Sequence, residues 1–335
     1  MTEKVGVVLL NLGGPDSLDA VEPFLYNLFS DPDIIDFPGA FLFRKRLAKL
    51  ISTRRAPGVQ KQYEKMGGKS PIKELNLQQA ELLEQQLNKH FPAKVVVAMR
   101  YWQPFTDDAI DALLAEEIRK VVLLPLYPQY SKATTTSSNK EWEKRLAERG
   151  LTGRFEVTKI DQYYTDERYV RSIVERINEG LERFPADVRN SVYLVFSAHG
   201  TPMKLVREGD PYSNHIKATV AAVMEQAGYE QPHTLCYQSK VGPLKWLEPS
   251  TPDTIERLAA EGVKHILVVP IAFTSDHLET LFELGHEYRR VASEAGVEQY
   301  EVMTGLNDSP TFIDAMANLV LEKLGVDGDG KGATA

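Results

Sequence analysis

The chain contains one cysteine, Cys236, among its 335 residues. A single thiol can form no internal disulfide and cannot supply the thiolates of an iron–sulfur cluster. Because Cys236 lies in an apolar run, we expect a buried side chain and not a nucleophile. The sequence therefore excludes a disulfide scaffold and a cysteine-ligated iron–sulfur cluster within the chain, and we expect no tightly bound cofactor.

Long hydrophobic runs are also missing. No apolar stretch approaches the ~18 residues of a membrane-spanning helix, and the N-terminus leads into the apolar run 5–10 without a basic leader. We therefore expect a cytoplasmic protein. The net charge of −8 disfavours nonspecific binding to nucleic acid.

Positive charge is concentrated in one segment. Between Phe37 and Tyr63 there are seven Lys or Arg residues and no acidic residue, and the same segment contains Phe41 and Phe43. An amphipathic, purely basic segment suits an anionic ligand or a lipid surface. The alternative is a surface helix whose apolar face joins the core.

Apolar, β-branched runs alternate with helix-like segments along the chain. Such alternation predicts an α/β fold, with parallel sheets covered by helices on both faces. The eight strand-like runs are 4–11, 94–101, 120–127, 154–160, 191–197, 233–239, 264–271 and 298–304.

The first four runs resemble the last four in the same order. The matched segments are 10–15 with 196–201, 100–104 with 239–243, 121–125 with 266–270, and 155–157 with 300–302. The last two pairs share an offset of 145 residues, whereas the first pair lies further apart, which implies extra residues in the first half. We therefore predict two similar Rossmann-like domains, each with a four-stranded parallel sheet, and a ligand cleft between them.

The predicted domain boundaries follow from this repeat. The N-terminal domain covers residues 1–165 and contains a basic and apolar insertion at about 30–75, and the C-terminal domain covers 166–310. A helix at 311–325 is expected to pack back on the first domain. The glycine-rich tail 326–335 has too few apolar residues to order itself.

Two polar motifs follow strand-like runs in the second half. His199 comes after the run 191–197, and Glu279 follows the run 264–271. Residues at the carboxyl ends of parallel strands face the ligand crevice of an α/β fold. A neutral imidazole that faces a carboxylate can bind a divalent metal or move protons near pH 7.

Glu279 belongs to a group of three acidic residues at helical spacing. On an α-helix, Asp276, Glu279 and Glu283 would share one face. Three carboxylates on one face repel one another unless cations or protons come between them. A solvated acidic face is the alternative, but large apolar neighbours favour a cleft-facing site that handles cations.

With these motifs in view, the sequence resembles the ferrochelatases, which insert ferrous iron into protoporphyrin to make haem. The resemblance extends from about residue 5 to residue 322. The matching runs are 9–15, 62–68, 70–72, 127–131, 197–199, 209–212, 237–243 and 270–280. The resemblance implies a lyase of haem biosynthesis with two Rossmann-like domains, acting on protoporphyrin IX and Fe²⁺ with release of two protons.

The resemblance also implies roles for individual residues. His199 and Glu279 would be the catalytic and metal-binding pair, with Asp276 and Glu283 as a relay for protons or metal. The implied porphyrin contacts are Leu12, Arg55, Tyr63, Ser70, Arg100, Tyr101, Tyr127, Trp246 and His277. The implied membrane lip includes Leu28, Phe29, Phe41 and Phe43. Animal members end in a cysteine-ligated [2Fe–2S] cluster, which we do not expect here.

Other interpretations stay open at this point. One is a ferrochelatase that acts on coproporphyrin III, although the apolar lip favours protoporphyrin. A cobalt chelatase for sirohydrochlorin shares the fold but lacks runs like 237–243 and 273–277. A non-catalytic tetrapyrrole carrier would need an apolar slot and an axial ligand, but no acidic stripe.

Overall fold

The computed structural model describes residues 3–32, 40–240 and 244–326, and for residues 40–42 the backbone alone. The chain divides into two compact units. Unit 1 comprises residues 1–162 and 313–335, and unit 2 comprises residues 163–312. The predicted disordered tail, apart from Val326, lies outside the described residues.

Unit 1 is built on a parallel sheet with the strand order β2-β1-β3-β4. Its strands are β1 (Val5–Asn11), β2 (Ala93–Met99), β3 (Lys120–Pro125) and β4 (Glu156–Lys159). Every residue of β1 is buried, as expected of an inner strand whose apolar run has no polar alternation.

The helices of unit 1 cover this sheet. They are α1 (Val21–Ser30), α2 (Ala40–Glu64), α3 (Ile72–Leu87), α4 (Thr106–Ala115) and α5 (Ser137–Glu148), with a π-helix at Lys132–Thr136. Trp142 of α5 is 1% exposed and packs in a core cluster with Leu123 and Phe155. This packing holds α5 against β3.

Unit 2 repeats the topology, with the order β6-β5-β7-β8. Its strands are β5 (Tyr193–His199), β6 (His233–Gln238), β7 (His265–Pro270) and β8 (Gln299–Val302), and all the pairings are parallel. The predicted α/β class with two similar four-stranded parallel sheets is confirmed.

The helices of unit 2 are α6 (Glu167–Leu181), α7 (Met203–Arg207), α8 (Tyr212–Ala227), α9 (Thr251–Ala260) and α10 (Arg289–Ala295), with a 3₁₀ turn at Arg189–Ser191 and a π-helix at Glu279–Tyr288. A last helix, α11 (Pro310–Lys323), starts in unit 2 and continues into unit 1. Within unit 1, the Gln86 amide donates to the Asp314 carboxylate at 3.2 Å.

The internal repeat needs one correction. In unit 1 the Met99 amide donates to the Pro104 carbonyl at 2.7 Å, and in unit 2 the Tyr237 amide donates to the Pro249 carbonyl at 2.9 Å. Pro249, and not Pro243, is therefore the counterpart of Pro104, and these two prolines are also 145 residues apart. The predicted pairing was wrong because the loop after the strand is longer in unit 2.

Candidate active site

His199 is the last residue of β5 and is half-buried. Its ring lies edge-on to Phe273, with 6.3 Å between the ring centroids, and its carbonyl accepts a hydrogen bond from the Tyr212 hydroxyl at 3.0 Å. Burial lowers the pKa of His199 below its ordinary value of 6.5, partly opposed by the carboxylates of Glu279 and Glu283. The imidazole is therefore neutral near pH 7 and can accept a proton or bind a metal.

Glu279 begins the π-helix Glu279–Tyr288, and its side chain is 33% exposed. Its Oε2 lies 3.2 Å from Nε2 of His277. The His277 ring packs on Phe273 at 4.6 Å between centroids, and its buried Nδ1 has no hydrogen-bond partner among the described residues. Phe273 therefore lies against both His199 and His277.

The three acidic residues predicted to share one helical face differ from that prediction at the first of them, Asp276. Asp276 precedes the helix, and its carboxylate accepts hydrogen bonds from the Thr280 hydroxyl at 2.9 Å, the Gly305 amide at 3.2 Å and the Asn307 side chain at 2.7 Å. The prediction of a shared helical face is wrong for Asp276, because the chain is not helical there. With its oxygens occupied, Asp276 holds the Gly305–Asn307 turn against the helix, and its relay role stays a prediction.

Glu283 is held by donors from β6 and from its own helix. Its Oε1 accepts from the Tyr288 hydroxyl at 2.6 Å and the Ser239 amide at 2.9 Å. Its Oε2 accepts from the Ser239 hydroxyl and from the Gln238 amide, the latter at 3.1 Å. Burial and the Glu283 carboxylate raise the pKa of Tyr288 above its ordinary value, so the phenol keeps the proton that it donates. Glu283 thus fastens the π-helix to the end of β6.

Sequence analysis missed Gln238, the last residue of β6. Its side chain is 2% exposed and lies beside His199 in the sheet register. Its Oε1 accepts from the Ser197 hydroxyl at 2.8 Å, and its Nε2 donates to the Glu279 carbonyl at 3.1 Å. A glutamine at the end of an apolar strand, inside the matching run 237–243, was the signal that could have identified it.

Trp246 is half-buried and lines a cavity of about 470 Å³ in unit 2, together with Gly200 and Gln238. Gly200 directly follows His199 in the chain, but the His199 side chain is not among the residues that line the cavity. A Cβ at Gly200 would meet the Gln238 carbonyl at 3.0 Å and the Trp246 ring at 3.3 Å. A larger residue at this strand end would therefore require these neighbours to shift by a few tenths of an ångström.

Metal-binding capacity in unit 2 is limited to a few side chains. Across residues 3–32, 40–240 and 244–326, no group of three or more His, Cys, Asp or Glu side chains is arranged to hold a metal ion. Imidazole nitrogen and carboxylate oxygen are suitable ligands for Fe²⁺. His199 and Glu279 could therefore supply part of a coordination shell.

Arg100 and Tyr101, both predicted to contact porphyrin, belong to a buried network in unit 1. The Arg100 guanidinium lies 2.7 Å from the Asp31 carboxylate and 3.5 Å from that of Glu141. The Asp31 carboxylate accepts hydrogen bonds from the Tyr101 hydroxyl at 2.7 Å and from the Ser137 hydroxyl at 3.2 Å. Tyr101 is 0% exposed. Tyr101 therefore packs in the core of unit 1, and its contact with porphyrin stays a prediction.

Four more residues of unit 1 are predicted to contact porphyrin, and all four are buried or half-buried. Tyr63, Ser70 and Tyr127 are 4%, 1% and 9% exposed, and Leu12 is half-buried. The buried Tyr127 hydroxyl has no hydrogen-bond partner among the described residues, so a ligand that reached it would satisfy it. Porphyrin contact by these four residues stays a prediction.

Helix α2 exposes two of its large apolar side chains while it buries small ones. Ala48 and Ser52 are 0% exposed, whereas Phe43 and Leu50 are 57% and 56% exposed. Leu47 and Ile51 of the same helix are half-buried, so the alternative of a surface helix whose apolar face joins the core stays open. No helix in the described part of the chain is long and apolar enough to cross a membrane.

Arg55 of α2 lies next to a predicted lip residue. It is exposed, and its guanidinium carbon is 5.5 Å from the centroid of the Phe29 ring. Phe29 is 9% exposed and Leu28 is half-buried. The side chain of Phe41, another predicted lip residue, lies outside the described residues.

A family model for ferrochelatase matches residues 4–324 of the chain. The chain belongs to the ferrochelatase family. Among the ferrochelatases that it resembles, one from Geotalea daltonii is 48% identical over 320 residues, which cover 96% of this chain and 98% of the relative. A ferrochelatase from Aquifex aeolicus is 48% identical over 318 residues, with coverages of 95% and 98%.

Solved structures of other chelatases share the fold of this ferrochelatase family member. SirB from Bacillus subtilis with Fe³⁺ has a TM-score of 0.56 and 12% identity, and the match covers 96% of this chain and 95% of that one. CbiX, the terminal enzyme for biosynthesis of siroheme in denitrifying bacteria, has a TM-score of 0.51 and 16% identity, with coverages of 95% and 98%. At these identities the likeness concerns the fold alone, and it confirms the predicted chelatase architecture.

Proposed function

We propose that this chain inserts Fe²⁺ into protoporphyrin IX, which forms protohaem and releases two protons. The observation that carries the proposal, beside family membership, is the placement of His199. Its neutral imidazole ends β5 in the electrostatic field of Glu279 and Glu283. That arrangement combines a proton acceptor with carboxylates that attract a cation.

His199 acts as the acceptor of pyrrole protons. A free porphyrin is planar and carries two N–H protons inside its ring, so an ion cannot enter in the plane. Bending the macrocycle exposes nitrogen lone pairs on one face, and contacts along the rest of the ligand supply the energy for that distortion. An imidazole that is neutral near pH 7 is suited to take the protons as they leave.

Glu279 binds the incoming iron. Its carboxylate is 33% exposed, whereas those of Asp276 and Glu283 are held by several donors each. A site with few protein ligands suits an ion that passes to the porphyrin nitrogens and does not stay. Carboxylate and imidazole also accept Zn²⁺ and Co²⁺, so these ligands alone do not select the metal.

Trp246 and His277 supply flat surfaces in unit 2 for the porphyrin. Both are partly exposed, and Trp246 lines the cavity in unit 2 together with Gly200 and Gln238. Arg55 is proposed to hold a propionate, because its exposed guanidinium can make bidentate hydrogen bonds to a carboxylate. A flat haem would fit less well than a bent ring between such walls. This poorer fit promotes the release of haem.

The lip of α2 is proposed to rest on an anionic membrane surface, at which insoluble substrate and product can be exchanged. Phe43 and Leu50 are more than half exposed, and Lys45, Arg46 and Lys49 are exposed on the same helix. Exposed apolar side chains together with basic ones bind the interface of anionic bilayers. The protein would then be cytoplasmic and peripherally attached.

The test is an anaerobic assay with protoporphyrin IX and Fe²⁺, both in large excess over the protein. An enzyme consumes the free-porphyrin fluorescence over many turnovers, whereas a carrier stops at one equivalent. His199→Ala and Glu279→Ala should each remove turnover while the unfolding temperature stays close to that of the wild type.

His233→Ala is the matched control, because His233 is exposed at the opposite end of the unit 2 sheet. Wild-type turnover by either site variant would overturn the residue assignment.

Parallel assays with coproporphyrin III decide which porphyrin is the substrate, since a preference for the more polar coproporphyrin would favour that alternative.

A further inference from the structure

Gln238 connects the two parts of the candidate active site. It pairs with His199 in the register of β5 and β6, and the two side chains therefore lie on the same face of the sheet. Its amide nitrogen reaches the Glu279 carbonyl and the Glu283 carboxylate, at 3.1 Å each. One side chain thus connects the strand that ends in the proposed proton acceptor to the helix that carries the proposed iron ligand.

Hydrogen bonds on both sides of the Gln238 amide fix its orientation. Its Oε1 accepts from the Ser197 hydroxyl at 2.8 Å, and Ser197 also shares a 2.8 Å hydrogen bond with Thr251. Ser197 and Thr251 are both 0% exposed. Because the Glu279 carbonyl can only accept a hydrogen bond, the NH₂ group points at the π-helix and Oε1 points at the Ser197 hydroxyl.

The position of Glu279 depends on this contact. A π-helix closes i→i+5 hydrogen bonds in a wide turn and is unusual outside single turns at functional sites. The donor from Gln238 adds a hydrogen bond at the first residue of the helix, and the same NH₂ group also contacts Glu283 one turn later. Both contacts restrain the turn from which the Glu279 carboxylate projects.

We infer that Gln238 is a positioning residue for metal insertion: its amide sets the distance between the Glu279 carboxylate and the His199 imidazole. The inference rests on the proposed function of these two residues. A displacement of about 1 Å in a reacting group costs on the order of 100-fold in rate. The effect should therefore appear in metal binding and kcat, and leave porphyrin binding nearly unchanged.

Two substitutions test the contact. Gln238→Met keeps the approximate size and removes both donors, and Gln238→Glu keeps the acceptor for Ser197 while placing an oxygen against the Glu279 carbonyl and the Glu283 carboxylate. We expect kcat to fall at least about tenfold in Gln238→Met and further in Gln238→Glu, with the KM for porphyrin within about twofold of wild type. Binding of Zn²⁺ alone, measured by calorimetry without porphyrin, should weaken by about 10-fold or more in both.

Gln79→Met is the control for the loss of a buried amide. Gln79 is 0% exposed in unit 1 and accepts a hydrogen bond from Asn76 at 2.9 Å. We expect it to lower the unfolding temperature without weakening Zn²⁺ binding. Unchanged Zn²⁺ affinity and kcat in both Gln238 variants, or equal losses in Gln79→Met, would overturn the inference. A wild-type protein without turnover would instead count against the proposed function, so the two failures are distinguishable.

Discussion

The Oε2 atom of Glu279 lies 3.2 Å from Nε2 of His277, and the imidazole is itself packed against Phe273. A ring nitrogen this close to a carboxylate restrains the rotamer of that carboxylate. His277 therefore orients the oxygen that we propose as the iron ligand.

Replacing His277 by alanine should weaken metal binding. Removal of a side chain that orients a metal ligand typically costs about 10- to 100-fold in affinity, and we expect that range for Zn²⁺ binding by His277→Ala, measured by calorimetry. His286→Ala is the control, since His286 is an exposed histidine on the same π-helix. Equal affinities in His277→Ala and wild type would show that Glu279 does not need this neighbour.

Acid pH should reduce both stability and activity through His199. Burial lowers the pKa of His199 in the folded protein, whereas in the unfolded chain the imidazole takes up a proton near its ordinary pKa of about 6.5. The unfolded state therefore binds more protons as the pH falls below that value, and the contribution of His199 to stability declines. Turnover declines once the pH reaches the lowered pKa, because the acceptor is then already protonated.

Urea unfolding at about pH 7 and about pH 5, on either side of the unperturbed histidine pKa, measures this dependence. His199→Ala should lose less stability between the two conditions than wild type does. His233→Ala removes an exposed histidine and should keep the wild-type difference. The same acid loss in all three proteins would mean that other groups cause it.

The basic side chains of α2 should govern binding to anionic membranes. Each Lys or Arg near such a surface contributes about 1 kcal/mol, so replacing Arg44, Lys45 and Arg46 by alanine should weaken vesicle binding by roughly 100-fold. Sedimentation with vesicles that contain phosphatidylserine measures the change. As a control, alanine at Lys204, Arg257 and Arg290 removes the same charge from exposed positions of unit 2. Similar partitioning of the two triple variants would exclude a specific role for α2.

Asp276 should be important for stability first and for catalysis only indirectly. Asp276→Ala would leave the Gly305 amide, the Asn307 side chain and the Thr280 hydroxyl without their acceptor. We expect a loss of about 3 kcal/mol in the free energy of unfolding, because buried donors stay unsatisfied. Chemical denaturation measures it. A variant of native stability with a large loss of turnover would support the relay role that the sequence suggested.

Several parts of the fold could be predicted from local patterns. Continuous apolar runs identified the strands of both sheets, because the inner strands of a parallel sheet are buried on both faces. The repeated strand order gave two similar units. The runs that follow β5 and β7 directed attention to His199, which ends β5, and to Glu279, which begins the π-helix after β7. The pairing of Pro104 was wrong because sequence similarity does not show how long a loop is before the chain returns to the sheet.

The amino-acid sequence by itself determined the strands, the internal repeat and the polar residues that follow β5 and β7, since these features depend on neighbours in sequence. Only the tertiary structure decided that Asp276 and Tyr101 are enclosed by donors and packing, and that Gln238 joins β6 to the π-helix. Those contacts bring together residues from different elements, such as Gln238 and Glu283 at 3.1 Å. The widening of the helix at Glu279 has the same origin, because helical spacing in a sequence predicts an α-helix unless packing from outside stabilises another turn.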